Sequence, residues 1–102
     1  MQFDGFDWDE GNLAKCRKHG LSPQEIEEIL SGPITLILPD ERHSGTETRS
    51  IAVGRTAMGR HAFVAFTIRE RDGRTLLRPI SARYMHAKEV RRYEQQVAHL
   101  RD

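Results

Sequence analysis

Apolar residues recur at helical spacing in the first third of the chain, alternate at strand spacing through the middle, and return to helical spacing at the end. Phe6 and Trp8 flank Asp7 with strand periodicity, which offers a short strand ahead of Asp9, a residue suited to cap a helix. Leu13 and Cys16 then share one side of a first helix. Lys15, Arg17 and Lys18 suit its C-terminal dipole, and Gly20 stands where a left-handed closing residue is expected. A second helix is marked more fully. Ser22, Pro23 and Glu25 supply an N-cap, a first-turn proline and a capping box, with Leu21 and Ile26 placed as a hydrophobic staple. Ile26, Ile29 and Leu30 form its buried stripe, and Gly32-Pro33 stops it.

From Ile34 the pattern becomes extended. Ile34 to Leu38 reads as a strand that ends at Pro39-Asp40, followed by a polar loop through Gly45. Thr48 to Gly54 alternates, and Thr56 to Arg60 reads as a hairpin loop with Gly59 in the left-handed position. His61 to Ile68 is apolar on both faces, as an interior strand covered on each side would be. Asp72-Gly73 is a two-residue hairpin turn that returns the chain along Arg74 to Arg83, where Pro79 implies an edge or a bulge. Val90, Tyr93, Val97 and Leu100 give a last helix one apolar stripe. The expected fold is α+β: two N-terminal helices, a four-stranded mainly antiparallel sheet with an extra short N-terminal strand as an option, and a C-terminal helix.

Composition narrows the class. With 102 residues, 37% hydrophobic and 30% charged, the chain is expected to fold as one domain over residues 1–102. A single cysteine, Cys16, excludes an internal disulfide, and zinc-type Cys/His spacing is absent, so neither metal nor other cofactor is expected. The sequence has no apolar run of membrane-spanning length and no signal-like start, which points to a soluble, cytoplasmic protein. Sixteen basic and 15 acidic residues nearly cancel, but their order is uneven. Every charge from Gln2 to Glu10 is negative, whereas Arg49 to Arg92 carries ten arginines against Glu70, Asp72 and Glu89. Such a half-chain suits a phosphate-binding surface, and equally suits arginines that merely solvate strands and turns.

The two turns fix a register that bears on this choice. A two-residue loop at Asp72-Gly73 sets Arg69 opposite Leu76 and Thr67 opposite Arg78. A three-residue loop at Ala57-Met58-Gly59 sets Arg49 opposite Thr67 and Glu47 opposite Arg69. Glu47, Arg49, Arg69 and Arg78 then crowd one sheet face that continues as Ile51, Val53, Phe63, Ala65 and Ile80. Three guanidiniums beside a carboxylate suit phosphoryl chemistry, and a cross-strand Glu47–Arg69 ion pair among solvated arginines accounts for the same residues. His19 and His86, near helix ends, read as caps or as proton-transfer groups, while His43, His61 and His99 read as loop, strand-end and last-turn residues. The same register leaves Arg83 on the opposite face from Arg49 and Arg69 unless a bulge near Pro79 turns it back.

Phe6-Asp7-Trp8-Asp9, Lys18-His19-Gly20-Leu21-Ser22, Glu47-Thr48-Arg49 with Ile51-Ala52-Val53-Gly54, and Ile80-Ser81-Ala82-Arg83 with Tyr93-Glu94 together resemble the BrnT toxin family over nearly the whole chain. The resemblance implies a bacterial, RelE-like ribonuclease fold and RNA cleavage that slows translation and growth. It also implies a BrnA-like ribbon-helix-helix antitoxin, which would silence the toxin and contact operator DNA on behalf of both. On this resemblance His19, Glu47, Arg49, Arg69 and Arg83 are the candidate catalytic residues, with Glu47 or His19 as base or acid and the arginines holding the phosphate. Lys15, Lys18, Arg78 and His86 are candidate RNA contacts. Asn12 and Cys16 depart from a lysine and an asparagine frequent in the family, and Tyr84-Met85-His86 replaces smaller or more polar residues. The alternatives are a non-catalytic binding module for RNA or a partner, and an operon co-repressor with the toxin fold.

Overall fold

The computed structural model describes residues 2–33, 36–39 and 48–101. Its elements run β1 (Gly5–Phe6), α1 (Glu10–Arg17), α2 (Pro23–Ser31), β2 (Leu36–Pro39), β3 (Arg49–Arg55), β4 (His61–Arg71), β5 (Arg74–Tyr84) and α3 (Ala87–Arg101). The sheet has five strands in the order β1-β5-β4-β3-β2 and is mixed. Here the four-stranded expectation is corrected. The meander β2 to β5 is antiparallel, but Gly5 and Phe6 add a parallel strand against Leu76 and Leu77 of β5. The backbone N–H groups of Asp4 and Asp7 donate to the carbonyls of Thr75 and Leu77, which fixes that strand from both ends. Ile34, the loop with His43, Glu47, and the side chains of His99 and Leu100 lie outside the described residues.

Local chemistry explains both helix starts. Asp9 caps α1 by accepting from the Asn12 backbone N–H while the Asn12 side chain accepts from that of Asp9; Ser22 and Glu25 make the same reciprocal box for α2. The buried side of α1 is Asn12 with Cys16, whereas Leu13 is only half-buried, so the expected Leu13–Cys16 stripe is rotated by one position. The α2 stripe is as expected: Ile26, Ile29 and Leu30 are buried. These side chains meet Ala52, Ala62, Val64, Phe66, Leu77 and Ala82 in the core beneath the sheet. Gly54 lies so close to Ile29 that a Cβ there would stand 2.9 Å from its Cγ2.

Both hairpins take the expected register, with Arg49 opposite Thr67 and Arg78 opposite Thr67 from the other side. Asp72 and Gly73 have φ of 53° and 74°, the paired left-handed conformations of a type I′ turn. The β4–β5 ladder shifts between Ala65, opposite Ser81, and Phe66, opposite Pro79, so Ile80 is the extra residue of a bulge. Because side chains alternate along a strand, this single insertion returns Ser81 and Arg83 to the same face as Arg78. A further contact ties three elements at the other end of β5. The Tyr84 hydroxyl donates to Glu25 at 2.8 Å, and the Arg60 guanidinium lies 3.5 Å over the Tyr84 ring.

Candidate functional site

The sheet face opposite the α1–α2 core carries three cross-strand rows. Arg49, Thr67 and Arg78 form the first, Ile51, Ala65 and Ser81 the second, and Val53, Phe63 and Arg83 the third. Small side chains at the centre of the second row lie between longer ones on either side, and this difference in length hollows the face. α3 covers one end. Tyr93 is buried there, its ring meets that of His61 edge-on at 5.3 Å between centroids, and a small recess is lined by Val53, Phe63, Met85 and Tyr93.

Two adjoining hollows occupy the remainder. One, of about 290 Å³, is walled by Gly11, Asn12, Lys15, Arg49, Arg69, Arg78 and Ile80. Four of these seven residues are cations, and none is a carboxylate. The other is a cleft of about 510 Å³ with Ile51, Phe63, Ala65 and Ile80 on its apolar side and Lys15, His19, Arg49 and Arg83 on its charged rim. Lys15, Arg49 and Ile80 belong to both.

Arg78 owes its position to the acidic N-terminal stretch. Its guanidinium stands 2.8 Å from an Asp9 oxygen and 3.6 Å from Asp7, and Arg71 approaches the same Asp7 oxygen at 3.7 Å. The Asn12 backbone N–H and then Arg78 hold the Asp9 carboxyl below the usual carboxylate range. Asn12 has a second task. Its Nδ2 donates to the carbonyls of Asp7 at 2.9 Å and Pro79 at 2.8 Å, joining the start of α1 to β5 beside the bulge. Asn12 is 4% exposed, so those carbonyls have little recourse to water.

Arg83 is held from α3. Its two terminal nitrogens donate to the two Glu89 oxygens at 2.8 and 2.9 Å, and its guanidinium stands 4.6 Å from the Phe63 ring centroid. The hydrogen bond from Arg83, joined by one from the His86 backbone N–H, lowers the Glu89 carboxyl to about 2. Glu89 also raises the Arg83 pKa.

Of the residues singled out from sequence, Arg49, Arg69, Arg78, Arg83, Lys15 and His19 converge on the two hollows. Glu47 lies outside the described residues. Lys18, at the C-cap of α1, and His86, whose backbone N–H bonds Glu89 ahead of α3, line neither hollow. The parts played by Asn12, Asp7 and Glu89 were not anticipated, and Asp9, which caps α1 as expected, was not read as a partner of Arg78. His86 followed three residues later by Glu89 is a capping-box spacing that could have marked Glu89, but nothing local pairs Asn12 with a carbonyl 67 residues away. Cys16 is fully buried, and burial pushes its thiol up to about 11, as for an unreactive core residue. Among the described residues no His, Cys, Asp and Glu gather in a group that could hold a metal ion.

Residues 8–89 match the family model described as ribonuclease toxin, BrnT, of type II toxin–antitoxin systems. No curated protein matches the chain significantly.

Proposed function

The chain belongs to the BrnT family of ribonuclease toxins of type II toxin–antitoxin systems, and on that premise we propose that it is a RelE-like, metal-independent endoribonuclease whose phosphate site is the arginine-walled hollow. The observation that carries this reading is the gathering of Lys15, Arg49, Arg69 and Arg78 around one recess on a rigid sheet face. RNA cleavage without a metal places the ribose 2′ oxygen on phosphorus as its proton leaves to a base. The bond to the 5′ oxygen then breaks as an acid protonates it, leaving a cyclic phosphate. The charge that grows on the phosphoryl oxygens needs fixed donors, which guanidiniums on neighbouring strands provide with little reorganisation.

In this mechanism Arg49 and Arg69 hold the reacting phosphate, with Arg78 and Lys15 extending the cationic wall along the backbone of the RNA. His19, on the rim of the larger cleft, and Glu47, two residues before Arg49, are the proton-transfer pair. Arg83 has both terminal nitrogens engaged by Glu89, which suits it to wall the cleft and orient substrate more than to meet the phosphate directly. A BrnA-like ribbon-helix-helix antitoxin would neutralise the toxin and carry the complex to operator DNA. The test is to induce the chain without a partner in a bacterial host, beside a Glu47→Ala, Arg49→Ala variant that folds and accumulates equally, and to map RNA ends. Growth arrest with new RNA ends from the unaltered chain alone is expected. A soluble chain that neither arrests growth nor cuts RNA would favour a co-repressor role.

A further inference from the structure

We infer that the larger cleft is a nucleobase subsite, so that the chain takes single-stranded RNA with one unstacked base against the sheet while the adjoining phosphate sits in the arginine-walled hollow. This inference rests on the ribonuclease reading and adds to it where the base goes. The two hollows differ in chemistry and share a border. One offers cations without carboxylates; the other offers Ile51, Phe63, Ala65 and Ile80 as an apolar side. Lys15, Arg49 and Ile80 line both, so a ligand with a charged part and a flat apolar part side by side would fill them together. A nucleotide has that form. The cleft volume of about 510 Å³ falls within the range of small-ligand pockets.

Three features of the chain support a base there over a second phosphate. Ala65 and Ser81 leave room at the centre of the cleft on the sheet side, and beside it the Arg83 guanidinium over the Phe63 ring makes a flat surface of the kind on which bases stack. Glu89 compensates the charge of Arg83 through two hydrogen bonds, as Asp9 and Asp7 do that of Arg78, but the neighbouring hollow gathers four cations where this wall has one, so the wall is less suited to a phosphate. Ser81 and His19 put polar groups in the lining, and the edge of a base needs such hydrogen-bond partners. A base inside a duplex cannot present its face to such a cleft, which is why the substrate must be single-stranded at this position.

The experiment compares a labelled, 2′-fluoro single-stranded oligoadenylate, which cannot be cleaved, with the same oligomer carrying one abasic position moved stepwise along it. Binding is measured to the unaltered chain and to Ala65→Leu, a variant that fills the cleft without altering any charge. The expected result is a loss of about tenfold or more in affinity for one abasic position. Ala65→Leu should bind the intact oligomer as weakly as the unaltered chain binds that abasic one, and should lose nothing further with it. Equal affinity for the intact and every abasic oligomer, with binding that still weakens as salt rises, would overturn the base subsite and leave the phosphate site standing. Absence of salt-dependent binding to any oligomer would overturn the RNA reading and this inference with it.

Discussion

Asn12 shows how much of a site can depend on a side chain whose hydrogen bonds all go to the chain's own backbone. It completes the cap of α1 and bonds one part-buried and one buried carbonyl, so its loss would unfasten the helix that supplies Lys15 and leads to His19 from the strand that supplies Arg78 and Arg83. Asn12→Ala should lower stability by about 2–3 kcal/mol, the sum of a lost cap and poorly compensated buried carbonyls, read as a shift in the denaturant midpoint. A shift below about 0.5 kcal/mol would contradict that role. Glu89 acts at the same scale through charge. Its carboxyl lies at about 2 in the folded chain against 4.5 ordinarily, so its stabilising contribution is complete above the higher value and is lost as pH falls through the lower one. Stability measured against pH for the unaltered chain and Glu89→Gln should differ by at most about 1 kcal/mol near neutrality, since the pair is partly exposed. The two curves should converge as pH falls from about 4.5 to about 2. A constant offset would mean that Glu89 is not the ionised partner of Arg83. Arginine-rich strands were legible in the sequence; Asp7, Asp9 and Asn12 as their partners were not, because those contacts join residues remote in the chain, whereas Glu89, six residues from Arg83, was marked only by its spacing from His86.

At the scale of elements, the hairpins were the most legible part of the molecule. Asp72-Gly73 and the loop before His61 each fix a register through turn geometry, and the register then dictates which side chains share a face. Periodicity left two features incomplete. It offered a short strand around Phe6 and Trp8, but neither its bounds, Gly5–Phe6, nor its parallel pairing with β5. Pro79 suggested a bulge or an edge without locating it; the extra residue is Ile80, and on it depends whether Arg83 faces the cleft or the core. Inserting one alanine between Ser81 and Ala82 would shift the alternation of β5 by one, turning Arg83 inward and Ala82 and Tyr84 outward if pairing up to Ser81 stays fixed. The variant is expected to lose its cooperative thermal transition, because it would bury a charge and expose core surface together. A cooperative melt close to that of the unaltered chain would show that alternation beyond the bulge is not what orients Arg83.

For the whole molecule, the uneven order of charges acquires a structural meaning. The acidic N-terminal segment lies along β5, where Asp7 and Asp9 pair with Arg78 and Asp7 also approaches Arg71 at the end of β4. The near-neutral total therefore coexists with a face on which cations gather. The helical layer below the sheet makes that face rigid, and α3 leaves open the part that holds the two hollows. The gathering of arginines at the hollow was legible through register, while the depth of the cleft depends on the small residues Ala65 and Ser81, which carry no chemical signal of their own. The role proposed for this cationic recess is RNA cleavage. It is tested most directly by single-turnover cleavage of a single-stranded RNA by the purified chain and by Arg69→Ala of matched fold, in buffer with a metal chelator. The account predicts chelator-resistant cleavage yielding cyclic phosphate ends, slowed about a hundredfold or more in the variant. Equal rates for the two proteins, or cleavage abolished by the chelator, would contradict it.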